Sequence, residues 1–119
     1  MEKLKVLLVP YNEEPRVVEI DDHLEAKQKL VGGLIACIHV EDDPTGESGA
    51  GVDVWHNEEF LFEFPDQPNR HVIYAGEGPS VERMIRVHGP FFVARNDDAG
   101  DMLGLTDADV AKYSRIYRL

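Results

Sequence analysis

The stretch KVLLVPYNEEPRVVEIDDHLEAKQKLVGGLIACIHV, residues 5–40, decides the fold class. KVLLV (5–9) is a short apolar run without helical spacing and reads as a buried strand. RVVEI (16–20) has the β-branched content of a second strand, with Val18 and Ile20 on one face. The link PYNEEP is polar and bounded by prolines, as a hairpin-like loop would be. Asp22 followed three residues later by Glu25 has the spacing of a capping box. Leu24 and Val31, seven apart, share a helical face, with Ala26 and Leu30 close beside it. Gly32-Gly33 supplies the stop, because glycine takes the left-handed C-terminal conformation without a Cβ penalty. These signals predict a helix over about 22–31 and a strand over 34–40.

Outward from that stretch the pattern stays mixed. EDDPTGESGAG (41–51) is acidic and rich in Gly, Ser and Pro, and is expected to form a mobile surface loop. VDVW (52–55) alternates and predicts a strand, as does HVIYAGE (71–77). GPSVERMIRV (78–87) carries either a short helical turn or, through IRV, an extension toward the next strand. GPFFVAR (89–95) reads as an inner strand and NDDAGD (96–101) as a turn. The last element is the clearest. Thr106 suits an N-cap and Asp109 the third helical position. Leu105 and Val110 are placed as a hydrophobic staple, and Val110, Tyr113 and Tyr117 form one stripe with Ile116 adjacent. A helix over 107–117 follows. There is no regular βαβ alternation and no internal repeat. The expectation is an α+β fold: one domain over 1–119, with a single mixed, mainly antiparallel sheet and two short helices packed on one face.

At 119 residues, 43% of them hydrophobic and 29% charged, the chain can bury a core without staples. No apolar run approaches the roughly 20 residues that span a bilayer, and Pro10 with the acids after it does not fit a signal peptide. The single cysteine, Cys37, lies in the run LIACIHV. It is expected to be a small buried hydrophobe in a reducing, cytoplasmic compartment. The net charge of −11 argues against direct nucleic-acid binding, which needs clustered Lys and Arg. It suits solubility, a basic protein partner, or mimicry of the charge of DNA.

Catalytic and metal signatures are weak. His39 with Glu41, and His56 with Glu58 and Glu59, offer nitrogen and oxygen ligands, but at no recognised metal spacing. No metal or cofactor is expected. There is no nucleophile elbow, P-loop or dinucleotide fingerprint, so no catalytic residue is assigned. The directional polar residues around WHNEEFLFEFPDQPNRHV (55–72) point instead to binding. Asn57 can fix a turn by bonding backbone two residues on. Glu58 and Glu59 follow it. Pro65 and Pro68 stiffen the approach to Asn69 and Arg70, which offer an amide and a planar guanidinium fork. Trp55, Phe60, Phe62 and Phe64 either wall a pocket or form core. The candidate ligand-binding set is Asn57, Glu58, Glu59, Asn69 and Arg70.

The order Val31-Gly32-Gly33, Asn57-Glu58-Glu59, Pro68-Asn69-Arg70, Gly89-Pro90-Phe91-Phe92-Val93 and Leu105-Thr106-Asp107 resembles a family of short phage, plasmid and actinobacterial proteins catalogued as a domain of unknown function. The likeness runs from about Lys5 to Tyr113. It departs at Phe60, where the family usually carries a glycine. The resemblance implies a mobile-element setting, sometimes near antirestriction genes, and a host-cytoplasmic location. It supplies no activity.

Two functions are then expected, with an enzyme acting on a small substrate through Glu58 or Glu59 as a third alternative. The first is a non-enzymatic binding domain for a small polar or anionic, nucleotide-like ligand. Arg70 would meet the anion, Asn57 and Asn69 would give directional bonds, and Glu59 would take a hydroxyl or amine; a homodimer suits a pocket at a subunit interface. The second is a protein-interaction module or acidic DNA mimic with an anti-defence role and a basic host partner. Its charge would lie on Glu41-Asp42-Asp43, Glu58-Glu59 and Asp97-Asp98-Asp101.

Overall fold

A continuous apolar run needs cover on both faces of its strand, and that requirement organises the molecule. The computed structural model describes residues 3–42, 51–75, 82–97 and 99–119. Along β1 (Lys3–Val9), Leu7 and Val9 point into one core, and Leu4 and Val6 into another on the opposite face. β1 pairs antiparallel with β2 (Arg16–Asp21), Val6 opposite Val18, so the hairpin read from 5–20 is present. Its other neighbour is β7 (Phe91–Asn96), which splits in the same way: Phe91 and Val93 to one side, Phe92 and Ala94 to the other. β7 pairs in turn with β4 (Gly51–Asn57), and β4 with β3 (Ile35–Asp42). The strand order is β2-β1-β7-β4-β3, and the short β8 (Met102–Leu103) pairs with β7 past the stretch that pairs with β1. A separate antiparallel hairpin joins β5 (Pro68–Ala75) to β6 (Glu82–His88).

The class is α+β with mainly antiparallel pairing, as read. The helices, however, do not share one face. α1 (Leu24–Val31) covers the side of Leu4, Val6 and Phe92 through Val31, Ala26 and Leu30. α3 (Asp107–Ile116) covers the opposite side with Tyr113 and the following Tyr117, alongside Val72 and Val87 of the hairpin. The physical reason is in KVLLV and PFFV, which are apolar on both faces and so draw cover to both.

Local signals are mostly realised. Thr106 and Asp109 form the expected capping box, and Leu105 and Val110 sit in one core cluster. α1 starts later than read: its cap is His23, whose Nδ1 accepts from the Ala26 amide at 3.1 Å, and Asp22 instead pairs with Lys27 at 2.8 Å. Cys37 is exposed, because it lies on the outermost strand beyond the reach of α1. The segment 82–88 is strand throughout. The acidic stretch 41–51 begins and ends in paired strand, and 43–50 lies outside the described residues. Gly51 pairs with Asp42 next to the bulge between His39 and Glu41; a Cβ there would fall 2.0 Å from the Glu41 carbonyl oxygen. Among the described residues no helix is long and apolar enough to cross a membrane.

Candidate functional site

The polar residues singled out by the sequence separate into two internal joints and one exposed ridge. Asn57 ends β4 and is buried. Its Oδ1 accepts from the Glu59 amide at 2.7 Å, which is the two-residue turn its type favours. Its Nδ2 donates to the Val31 carbonyl at 3.2 Å, satisfying an orphan acceptor at the end of α1. Gly33 makes this approach possible, since a Cβ there would stand 3.0 Å from Asn57 Nδ2. The motifs V-G-G and N-E-E are thus two halves of one contact.

Asn69 and Arg70 form the second joint. Asn69 is buried, and its Nδ2 donates to the carbonyls of Val9 at 3.0 Å and Gly89 at 2.8 Å. Arg70 Nε donates to the Tyr117 carbonyl at 2.8 Å. Its Nη1 donates to the Pro10 carbonyl at 2.7 Å and to Asn69 Oδ1 at 2.8 Å, and its Nη2 to the Glu13 carbonyl at 2.5 Å. Burial lowers the guanidinium pKa from its ordinary value, against the opposing charge of Glu14. Three of these four bonds therefore tie β5 to the β1–β2 loop and to the end of α3. Asn57 and Arg70 share no bonding partner among the described residues.

Glu58 and Glu59 are different. Both are exposed, and neither carboxylate has a hydrogen bond or ion pair among the described residues. They lead into a one-turn helix, α2 (Phe60–Glu63). Alternating phenylalanines suggest a strand, but the helical turn puts Phe60 and Phe64 on one side and Phe62 on the other. Phe60 is buried between His56 and His88, with ring centroids at 5.1 and 5.8 Å. Phe64 packs against Gly32 and Gly89. Phe62 is left 88% exposed and Leu61 66% exposed. Glu58 to Phe62 line an open hollow of about 540 Å³. The exposed apolar pair is the feature that the sequence reading missed; the four-residue spacing of Phe60 and Phe64 is the signal that would have found it.

The remaining titratable groups are held internally. His56 Nδ1 donates to the Asn57 carbonyl at 2.8 Å, and burial, partly opposed by that bond, holds its pKa below the ordinary value. Glu41 accepts from Tyr113 Oη at 2.7 Å and Lys112 Nζ at 2.6 Å. Burial and that bond push the Tyr113 phenol well above its usual range. His39 lies between Asp53 and Asp42, at 2.8 and 2.7 Å. Asp97 Oδ1 accepts from the amides of Ala99 and Asp101. Cys37 is exposed as a residue, but partial desolvation of its sulfur raises the thiol pKa, with Asp53 adding to it. Among the described residues no group of three or more His, Cys, Asp or Glu side chains is placed to hold a metal ion.

The family model described as domain of unknown function DUF3846 matches residues 4–118, and the chain belongs to that family. No curated protein and no solved structure matches it.

Proposed function

We propose that this member of the DUF3846 family is a non-enzymatic protein-interaction module of a mobile element. It would work in the host cytoplasm and dock on a basic partner through the α2 ridge. The observation that carries this reading is the pairing of exposed Leu61 and Phe62 with the unpaired carboxylates of Glu58 and Glu59. From His56 to Asn69 the chain has no Lys or Arg and four acidic residues, so the segment that carries the apolar tip is acidic. A protruding aromatic supplies contact area at little entropic cost, and the carboxylates supply steering and register. The partner surface this fits is an apolar cleft rimmed by Lys and Arg.

Mimicry of DNA calls for rows of free carboxylates. Glu41, Asp42 and Asp97 instead bond Lys112 and Tyr113, His39, and backbone amides. Asp43 and Asp98 lie outside the described residues. A local docking ridge accounts for the free acids better than a charge-mimicking face does.

The hollow itself supports a second reading, the binding of a small polar ligand beside the phenylalanines. Its polar groups are Glu58 and Glu59, which suit an amine or hydroxyl. The donors that an anion would need are engaged at Arg70.

A photocrosslinking amino acid at position 62, expressed in the host, tests the reading. The expected result is one dominant adduct to a basic protein, lost on Glu58→Gln with Glu59→Gln and reduced by salt. Crosslinking no stronger than from exposed position 17 would overturn it. A small molecule copurifying with the wild type and lost in the same double variant would favour the second reading.

A further inference from the structure

We propose that the protein binds a second copy of itself, the α2 ridge of one copy seated on the outer face of the β5–β6 hairpin of the other. The inference rests on reading the ridge as a docking surface, and it names an occupant that is encoded in the same chain.

The hairpin alternates as a half-buried ribbon should. Val72 is fully buried against the main sheet. On the opposite face His71 lies across from Arg86, and Ile73 across from Met84. Directly opposed residues share a face, so these four make one surface. Ile73 is 54% exposed and Met84 62%, an apolar pair left open to solvent over more than half of its surface. Ile116 of α3, 55% exposed, joins Ile73 in lining a hollow of about 390 Å³. The polar edge of this patch carries both signs: Glu82 stands next to Met84 on the same face, and Glu41, bonded to Lys112, lines the hollow. Arg86 is exposed, its Nη2 lies 3.4 Å from His71 Nδ1, and it has no carboxylate partner among the described residues.

A chain of net charge −11 thus carries one apolar face beside an arginine without a carboxylate partner among the described residues, and one apolar ridge beside two carboxylates without a cationic partner there. Each has what the other lacks: Leu61 and Phe62 project, while Ile73 and Ile116 border a hollow with exposed Met84 across the hairpin from Ile73. The two patches use different residues, so the contact is heterologous in kind. Its small size makes it a weak contact that a tighter partner displaces.

Sedimentation equilibrium under reducing conditions tests this, with circular dichroism melts to confirm folding. Two variants are needed: a reversed ridge, Glu58→Lys with Glu59→Lys, and a reversed hairpin, His71→Glu with Arg86→Glu. At about 100 µM the wild type should show an average mass above the 13.4 kDa monomer. Each folded variant alone should be monomeric, because its two patches now repel. An equimolar mixture should associate within about threefold of the wild type, since one variant's basic ridge meets the other's acidic hairpin. Phe62→Ser should abolish association in either setting. A monomeric wild type, a monomeric mixture, or a single variant that associates like the wild type would overturn the proposal. Crosslinking from position 62 to a basic host protein would still stand in those cases, so the ridge reading survives failure of this one. Loss of both would remove the ridge as a docking surface.

Discussion

Arg70 Nε donates to the carbonyl oxygen of Tyr117 at 2.8 Å, joining the hairpin to the end of the last helix. The same guanidinium holds the carbonyls of Pro10 and Glu13 in the β1–β2 loop. Three segments far apart in sequence thus converge on one planar fork. The residue that sequence reasoning would assign to an anion acts here as a tie between backbone segments.

Lysine cannot reproduce that fork, having one nitrogen where arginine has three. Arg70→Lys should therefore leave at least two carbonyls without their donor. A loss of about 3 kcal/mol is expected, with a fall in Tm of about 10 °C. Chemical and thermal denaturation measure it. A Tm unchanged from the wild type would show that the tie contributes nothing.

Asp109 joins the first turn of α3 to β7. It accepts from Arg95 Nε at 2.6 Å and Nη2 at 2.9 Å, and from the Thr106 amide at 3.0 Å. Burial alone would raise its pKa, but Arg95 and Thr106 outweigh that, and the net shift is downward. A depressed folded pKa gives stabilisation that is full above the unfolded value of about 3.9 and lost as pH falls through the folded value. The stability gap between wild type and Asp109→Asn should be constant from about pH 5 to 7 and shrink below about pH 4. Urea titrations of both proteins across that range measure it; a gap that widens in acid would contradict the assignment.

The sheet was legible because strands announce themselves by apolar content, and the α3 cap because Thr106 and Asp109 are local partners. The burial of the joints was not. Asn57 and Val31 are 26 residues apart, and Arg70 and Tyr117 47 apart; nothing local distinguishes a polar side chain that bonds a distant carbonyl from one that awaits a ligand. The two-sided cover of the sheet was available in KVLLV, whose unbroken apolarity fits two covered faces better than one. The exposure of Phe62 was hidden by FLFEF, where every second residue is aromatic and mimics a strand.

Gly89 and Phe64 offer a test of how one joint is packed. Gly89 has φ +73°, and a Cβ there would lie 2.5 Å from Phe64 Cδ2. Gly89→Ala should cost about 3 kcal/mol, from steric conflict added to left-handed backbone strain. In a Phe64→Ala background the conflict vanishes, and only about 1 kcal/mol of backbone strain should remain. A double-mutant cycle on folding stability should therefore show coupling of about 2 kcal/mol. Additive effects would place the Phe64 ring elsewhere.

His39 gives the last prediction. Its Nδ1 contacts Asp53 Oδ1 and its Nε2 contacts Asp42 Oδ1, and Asn96 Nδ2 donates to the other oxygen of Asp53. Ionised carboxylates only accept, so with both contacts made both ring nitrogens carry protons. Burial lowers the imidazole pKa, but Asp42 and Asp53 outweigh it and the net shift is upward from 6.5. A raised folded pKa gives stabilisation that is full below the unfolded value of about 6.5 and lost as pH rises through the folded value. Histidine ring resonances followed by NMR should show His39 titrating above the ordinary value, and Asp53→Asn should bring the midpoint down. The orientation of Asp53 by Asn96 should make the effect of Asn96→Ala smaller but of the same sign. A wild-type midpoint at or below 6.5 would mean that burial outweighs the two carboxylates and that the imidazole is neutral in the folded protein at pH 7.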